Sequence, residues 1–193
     1  MRFSAIFSNN NPEKLHDFAA EMDGENFYSF ANNAIFALTS HGHGNAKFYQ
    51  FEKLTAVGEI TIYNRDEIKN QLKSATDSDG ELLLQLYAKF GIKGFSDIEG
   101  MFAAVISDGE RLLLVRDAIG KKPLFYCQTK DAFAVSSSLK SLSKWSQLEI
   151  KLNLQAVASF LTFAYLPDAE TLFESVFELL PGHALQFFPN GKT

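Results

Sequence analysis

The sequence from Glu99 to Asp117 reads EGMFAAVISDGERLLLVRD. Two apolar runs of strand length, Met101–Ser107 and Arg111–Val115, flank the dipeptide Asp108-Gly109. Asp-Gly readily supplies the positive φ angles of a tight hairpin turn. Both runs are apolar at successive positions instead of alternating, so each predicted strand is covered on both faces, as in the middle of a layered fold.

Two more strands are predicted directly after this hairpin. Pro123–Cys127 follows a turn that contains Gly120, and Ala132–Ser136 comes next. Consecutive strands joined by short connections usually lie side by side. The sequence therefore predicts an antiparallel meander at the heart of a domain, which specifies a fold but no chemistry.

The same stretch and the chain behind it carry a series of recognisable motifs. They are GMFAAVI at Gly100–Ile106, DGER at Asp108–Arg111, RDAIGKKPLFY at Arg116–Tyr126, YLP at Tyr165–Pro167, TLF at Thr171–Phe173 and LPGH at Leu180–His183. They resemble the amino-terminal domain of asparagine synthetases, a class II glutamine amidotransferase of the Ntn-hydrolase superfamily. The resemblance covers Gly58 to His183 well and the first fifty residues poorly. It implies an α/β fold, a four-layer αββα sandwich of two mainly antiparallel sheets.

The remaining predicted elements fit such a layered order. Predicted strands are Phe3–Phe7, Ala34–Thr39, Ala46–Phe51, Leu54–Tyr63 and Ala184–Phe188, and predicted helices are Glu13–Glu25, Arg65–Lys73, Ser78–Gly91 with its caps, Leu139–Trp145 and a helix from Asn153 to Leu166-Pro167. Asn64 and Ser78 each precede a Glu by three residues, which is the spacing of a capping box, and Asn153 is predicted to cap the last helix. We expect one domain over residues 1–193, with the family's larger synthetase domain absent from this chain.

Composition excludes several classes of function. Net charge is −5, which argues against affinity for nucleic acid or an anionic membrane. No apolar run is long enough to span a membrane and no signal-peptide pattern begins the chain, so a cytoplasmic protein is expected. The single cysteine, Cys127, excludes an internal disulfide and leaves no set of thiolates for zinc. His41 and His43 lie in a Gly-rich loop, and no metal site is predicted.

The resemblance implies a nucleophile that this chain lacks. A class II glutaminase uses an N-terminal cysteine whose own α-amine serves as the general base. Ser4 stands at the position of that cysteine, and Arg2 and Phe3 before it are too bulky for ordinary methionine trimming to expose it. Ser4 is thus a weak catalytic candidate, against the interpretation of an ordinary strand serine. Cys127 lies in a predicted strand and is interpreted as a small buried hydrophobe.

The substrate pocket that the resemblance implies is also incomplete. The family holds the glutamine carboxylate with an arginine, and residues 3–64 contain none. Val57 stands where the family has an asparagine that donates to the oxyanion. Gly58 and Glu59 match the next two positions of that motif, although two extra residues lie within it. Asp79 matches the acidic residue that binds the glutamine ammonium group.

Three charged residues also have structural interpretations. Asp79 in the first turn of a helix is favoured by the helix dipole whatever ligand is present. Arg116 and Asp117 are predicted to form an ion pair with each other in a turn.

The leading hypothesis is a glutaminase-inactive domain of an asparagine synthetase-type, ATP-dependent amide-forming enzyme. Members without the cysteine resemble β-lactam synthetases and lasso-peptide synthetases, which use an amine already present. The resemblance implies no cofactor in this domain, ATP and Mg²⁺ in a separate synthetase domain or subunit, and that domain or subunit as partner. A cluster of Phe residues in the last forty positions adds a possible homo-oligomer. The alternatives are a free-standing non-catalytic binding module and the N-terminal part of an active glutamine-hydrolysing asparagine synthetase.

Overall fold

The computed structural model describes residues 2–8, 26–30, 34–39, 46–130, 132–145 and 148–188. Within these ranges the chain forms two antiparallel sheets, A and B, and α-helices on their outer faces. The predicted helix Glu13–Glu25, the turn at Asn32-Asn33, the loop His41–Asn45 and the polar end Pro189–Thr193 lie outside the described residues.

The described residues form eleven strands, four α-helices and one 3₁₀ helix. The strands are β1 (Arg2–Ser8), β2 (Asn26–Phe30), β3 (Ala34–Thr39), β4 (Lys47–Phe51), β5 (Leu54–Ile62), β6 (Gly100–Ser107), β7 (Leu112–Arg116), β8 (Phe125–Gln128), β9 (Ala132–Ser136), β10 (Val176–Glu178) and β11 (Ala184–Phe187). The helices are α1 (Arg65–Leu72), α2 (Asp79–Phe90), α3 (Leu139–Leu142) and α4 (Leu154–Phe163), with a 3₁₀ helix at Gly91–Asp97. Sheet A has the order β10-β8-β9-β1-β3-β2, and sheet B has the order β11-β7-β6-β5-β4. The strands β2 and β10 and the 3₁₀ helix were not predicted.

The predicted hairpin is confirmed, with a longer turn than expected. Strands β6 and β7 pair antiparallel and are almost wholly buried. Ser107 pairs with Leu112, so four residues form the connection, and only Gly109 of the Asp-Gly dipeptide has a positive φ, +89°. The Asp108 carboxylate explains the longer loop, because it accepts the backbone N–H of Arg111 at 3.1 Å and pairs with the Arg111 guanidinium at 3.0 Å.

The predicted meander is wrong. Strand β8 pairs with β9 and β10 in sheet A, whereas β7 lies in sheet B. Strand β11 takes the edge of β7 that a meander would have given to β8. The chain crosses between the sheets before β8, and Leu124 in that crossing is buried in the core between them. A pattern of successive strands cannot distinguish one sheet from two stacked sheets.

The layers of the sandwich follow from which face each strand buries. Phe3, Ala5 and Phe7 of β1 pack against residues of sheet B such as Val57 and Val105. The opposite face of sheet B is covered by α1 and α2, through Ile68, Leu82, Leu83 and Leu86 among others. The opposite face of sheet A carries Ile6, Ala134 and Val176. They pack against Leu142 of α3 and against Trp145 and Leu148, which follow that helix. The predicted αββα sandwich is confirmed.

Helix starts agree with the predicted caps in two cases out of three. Ser78 and Asn153 each accept the backbone N–H three residues further on, at 3.3 and 3.0 Å. Asn64 makes no side-chain cap, which corrects that prediction. Its amide instead donates to the carbonyl oxygen of Asp97 at 2.9 Å and accepts from the N–H of Glu99 at 3.0 Å. It thereby ties the end of β5 to the segment that enters β6.

Helix α4 buries little of its surface. Leu154 is 74% and Leu161 79% exposed, and Ala156 is its one buried residue. The helix ends at Ala164, which adopts the left-handed conformation just before Leu166-Pro167. Within the described ranges, no helix is long and apolar enough to cross a membrane.

Candidate functional site

Ser4 lies in the middle of sheet A and is fully buried. It sits in β1, which pairs with both β3 and β9. Its hydroxyl donates to the Ser136 hydroxyl oxygen directly across on β9, at 2.9 Å. The Ser136 oxygen also accepts the N–H of Ser138 at 3.1 Å, and its own hydroxyl donates to the carbonyl oxygen of Phe3 at 3.3 Å. The Ser4 hydroxyl thus belongs to a buried network between two strands.

The residue before Ser4 is held as firmly as Ser4 itself. The N–H of Phe3 donates to the Ser137 hydroxyl at 3.1 Å, and the carbonyl of Phe3 accepts the N–H of Ser137 at 3.0 Å. Side chains alternate along a strand, so Ser4 shares the outer face of sheet A with Ile6, opposite to Phe3 and Ala5. Because Phe3 continues the strand, the nitrogen of Ser4 is a peptide nitrogen and not an amine that could act as a base.

Asp79 lies at the start of α2 and connects three elements. Its Oδ2 accepts the N–H of Ile62 at the end of β5, at 3.2 Å. Its Oδ1 pairs with Arg65 Nε at the start of α1, at 2.7 Å, and the Asp79 side chain is only 12% exposed. The hydrogen bond that Arg65 donates to Asp79 raises the pKa of the Arg65 guanidinium above its ordinary value. The carboxylate that was predicted to bind a ligand's ammonium therefore binds a cation of the chain itself.

Tyr49 covers the beginning of the same helix. A Cβ at Gly80 would lie 2.2 Å from the Tyr49 ring, so the ring fits there only because residue 80 is glycine. Burial raises the pKa of the Tyr49 phenol to about 12, and the nearby charges of Asp79 and Glu59 act in the same direction. The phenol is accordingly neutral at any physiological pH and can donate a hydrogen bond.

Gly58 and Glu59 both have structural roles in β5. A Cβ at Gly58 would lie 2.6 Å from the carbonyl oxygen of Ala103 and 2.7 Å from Cβ of Ala104, so glycine allows β5 and β6 to approach closely. Glu59 forms an ion pair with Lys122. Val57, at the predicted position of the missing oxyanion donor, is fully buried in the core between the sheets.

Arg116 and Asp117 do not pair with each other, which corrects that prediction. Arg116 is buried, pairs with Glu178 at 2.7 Å and donates to the carbonyl oxygen of Gly120 at 2.7 Å. The Asp117 carboxylate accepts backbone N–H groups, those of Phe102 at 3.1 Å and Gly120 at 2.8 Å. Arg116 thus fastens β10 to the crossing between the sheets, and Asp117 closes the turn after β7.

The lone cysteine matches its sequence interpretation. Cys127 is fully buried beneath α3 and its neighbours, and burial raises the pKa of its thiol to about 12. A thiol held protonated is a poor nucleophile, so Cys127 behaves as a small core side chain.

The structure does not bring Ser4 and Asp79 together. The Ser4 side chain points away from sheet B, whereas α2, which carries Asp79, packs on the face of sheet B that lies away from sheet A. Glu59 and Asp79 both lie close enough to Tyr49 for their charges to raise the pKa of its phenol. Sequence reasoning missed Arg65, Tyr49 and Ser136 as partners. Arg65 and Asp79 each begin a predicted helix, and that shared position was the one available signal.

Comparison with known proteins agrees with this architecture. A family model described as a glutamine amidotransferase domain matches residues 27–193. The chain belongs to this family. The domain aligns with a protein named asparagine synthetase [glutamine-hydrolyzing] 1 from Bacillus subtilis, at 30% identity over 155 residues, covering 77% of the domain and 24% of the relative. It aligns at 36% identity over 91 residues with carboxyethyl-arginine beta-lactam-synthase from Streptomyces clavuligerus, covering 46% of the domain and 18% of the relative.

Solved structures show the same fold at low sequence identity. The amidotransferase domain superimposes on glutamine phosphoribosylpyrophosphate amidotransferase from B. subtilis with a TM-score of 0.64 and 14% identity, covering 99% of the domain and 48% of that chain. It superimposes on a glutamine aminotransferase class-II domain protein from Silicibacter pomeroyi with a TM-score of 0.55 and 13% identity, covering 99% and 96%. The chain spans 24% and 18% of the lengths of these two curated relatives.

Proposed function

We propose that this domain is a glutaminase-inactive member of the asparagine synthetase type, and that it serves as a scaffold for an ATP-dependent, amide-forming synthetase domain. The observation that carries the proposal is the state of Ser4. Its hydroxyl is fully buried and bonded to Ser136, and its nitrogen is a peptide nitrogen. An N-terminal hydrolase needs a nucleophile that reaches the substrate and an amine that takes its proton. Ser4 supplies neither.

The state of Asp79 supports the same conclusion. A glutamine ammonium group would have to displace the Arg65 guanidinium from the carboxylate, since that carboxylate is only 12% exposed. Charge-assisted hydrogen bonds of this length are among the stronger ones, so displacement costs binding energy. Asp79, Gly58 and Glu59 are thus proposed as vestiges of a substrate site that now hold the domain together.

The proposed enzyme forms an amide without ammonia from glutamine. ATP and Mg²⁺ would be bound by the synthetase domain, where ATP would activate the carboxylate of the acid substrate. The amide would then form with an amine that is already present. Glutamine hydrolysis has no place in this sequence of steps, which is why a buried Ser4 is compatible with an active synthetase.

A partner surface is available for the scaffold role. Leu154, Leu161, Phe163 and Tyr165 on and after α4 are between 59% and 79% exposed, and α4 carries no charged residue. Apolar patches of this kind often mark protein interaction sites. We propose that the synthetase domain or subunit covers this surface, and a second copy of the domain is the other occupant that an association experiment would reveal.

The complete gene tests the scaffold role. We expect a downstream Ser-Gly-Gly-x-Asp-Ser pyrophosphate loop after Thr193 or in an adjacent gene. Its absence from both would favour the free-standing binding module, for which the same exposed surface would be the binding face.

A titration with glutamine tests whether the residues around Asp79 still bind this substrate. Titration of the ¹⁵N-labelled domain with L-glutamine should leave the amide resonances of Ile62, Arg65 and Asp79 unchanged. The corresponding domain of the B. subtilis relative serves as positive control. Saturable shifts at these amides would contradict a vestigial site and favour the N-terminal part of an active glutamine-hydrolysing enzyme. The cytoplasmic location stays a prediction from the sequence.

A further inference from the structure

A chain of five aromatic rings leads from the core between the sheets to the surface. Phe7 lies 5.9 Å from Phe187 between ring centroids, and Phe187 lies 4.3 Å from Phe133 in a stacked arrangement. Phe133 is 5.9 Å from Tyr126, which is 5.7 Å from Phe177. Phe133 is 1% exposed and Phe177 is 37% exposed, so the outer end of the chain reaches solvent.

The outer three rings line a pocket of about 420 Å³ at the edge of the sandwich. The lining is completed by Gln128, Glu174, Ser175 and Leu185. It draws on β8, β9 and β10 of sheet A and on β11 of sheet B, so the pocket lies where the two sheets part. Its volume is within the range of small-molecule sites, and an apolar lining with a few polar groups is their usual composition.

The charge of this pocket is negative. Glu174 is the only ionised side chain among the described residues that line it, and its carboxylate forms no ion pair with a described cation. Lys151, the nearby cation, pairs with Glu149 at 3.0 Å, which raises the pKa of the Lys151 ammonium, and the charge of Glu174 acts in the same direction, so one cation lies near two carboxylates. Burial raises the pKa of the Tyr126 phenol, so that group stays neutral and can donate or accept a hydrogen bond.

We propose that this pocket binds an organic cation, an ammonium or guanidinium group carried on a short apolar body. Aromatic rings attract a cation through their quadrupole, and the effect is larger where the cation is desolvated. The Glu174 carboxylate adds a counter-charge at the mouth. Neither feature favours an anion such as a phosphate, and a neutral apolar ligand would leave the carboxylate without a role. The proposal is independent of the proposed function, because the pocket shares no residue with Ser4 or Asp79.

Choline and its neutral isostere 3,3-dimethylbutan-1-ol provide the direct test, since they differ in charge at nearly constant shape. Titrations followed by ¹H–¹⁵N chemical shifts should show choline binding at least tenfold tighter than the alcohol, with shifts confined to Tyr126, Phe133, Glu174 and Phe177. A parallel titration with Nα-acetylarginine methylamide distinguishes a free cation from a cationic side chain of a peptide. Failure of both cationic probes to bind overturns the proposal.

Two variants tie the affinity to the residues. Glu174→Gln should reduce choline affinity about tenfold and bring it near that of the alcohol, and Phe177→Leu should weaken it several-fold. Glu110→Gln, which removes one exposed carboxylate from the distant hairpin loop, is the matched control and should change nothing. Equal affinity for choline and the alcohol, or insensitivity to Glu174→Gln, would overturn the proposal. Both test positions are on the surface, and the amide spectrum of each variant verifies its fold.

Discussion

Arg65 Nε lies 2.7 Å from Asp79 Oδ1, so the first residues of two successive helices are joined by an ion pair. The same carboxylate accepts the N–H of Ile62 at the end of β5. Asp79 therefore fixes the point where α1, α2 and sheet B meet, and it does so with the carboxylate that the family resemblance matched to an ammonium-binding position.

Asp79 and Arg65 should differ in their contributions to stability. Asp79→Ala removes both contacts and leaves the N–H of Ile62 without its acceptor, which costs about 1–3 kcal/mol. Arg65→Ala should cost less than about 1 kcal/mol, because the Arg65 side chain is 43% exposed and solvent screens the pair. Urea unfolding measures both, with Lys69→Ala, which breaks the exposed pair with Asp77, as a control near zero. Equal losses for Asp79→Ala and Arg65→Ala would contradict the role given to Ile62.

Ser136 and Ser4, which are hydrogen-bonded to each other, should also differ in their contributions to stability. Ser136→Ala removes the acceptor for both the Ser4 hydroxyl and the N–H of Ser138, and should cost about 1–3 kcal/mol. Ser4→Ala removes a single donor and leaves Ser136 with its other partners, so we expect a loss of about 1 kcal/mol or less. Thermal or urea unfolding of the two variants decides the order. A larger loss for Ser4→Ala would mean that Ser4 has a partner that this network does not explain.

The sequence predicted many of the secondary-structure elements, but not the partners of Ser4 and Asp79. Strands β1, β5, β6, β7 and β9 and the caps at Ser78 and Asn153 followed from apolar runs and local spacing. The contact between Ser4 and Ser136 joins residues 132 positions apart, and no local pattern encodes such a pairing. The predicted meander failed for a similar reason, because no local pattern shows that β11, and not β8, lies beside β7.

Charged residues were the hardest to place from sequence. Arg116 was assigned to its neighbour Asp117, yet its partner is Glu178, 62 residues further along the chain. The Asp117 carboxylate instead accepts the backbone N–H groups of Phe102 and Gly120, and nothing in the local sequence indicates the contact with Phe102. The predicted departures from the glutaminase pattern, by contrast, come directly from the resemblance, since comparing an absent arginine, or Val57 with an asparagine, needs no knowledge of the fold.

Cys127 provides a probe of the native core. Its thiol pKa of about 12 means that Ellman's reagent at pH 8 should not react with the folded domain and should react fully after unfolding in urea. Since the folded pKa lies above the ordinary value of 9.0, the unfolded state loses this proton first. Stability should therefore be unaffected by Cys127 below pH 9 and should fall as pH rises from 9 towards 12. Rapid labelling of the native protein would contradict this burial.

The surface around α4 should drive association. We expect the isolated domain to sediment with a concentration-dependent mass, because Leu161 and Phe163 are 79% and 60% exposed. Leu161→Glu should weaken this association. Ile119→Glu is the matched control, since Ile119 is 80% exposed on a turn elsewhere and should have no effect. A strictly monomeric mass at high concentration would count against this surface as an interface.

The central claim is that this domain does not hydrolyse glutamine, and a glutaminase assay tests it most directly. Loss of an oxyanion donor alone costs about 10²–10³ in rate, and loss of the nucleophile removes the covalent path. Purified domain with L-glutamine should release no glutamate above the enzyme-free background, while the B. subtilis relative serves as positive control. A cysteine placed directly after Met1 should not restore activity, because the carboxylate-binding arginine is still missing. Glutamate release by the native sequence that Ser4→Ala abolishes would contradict the account.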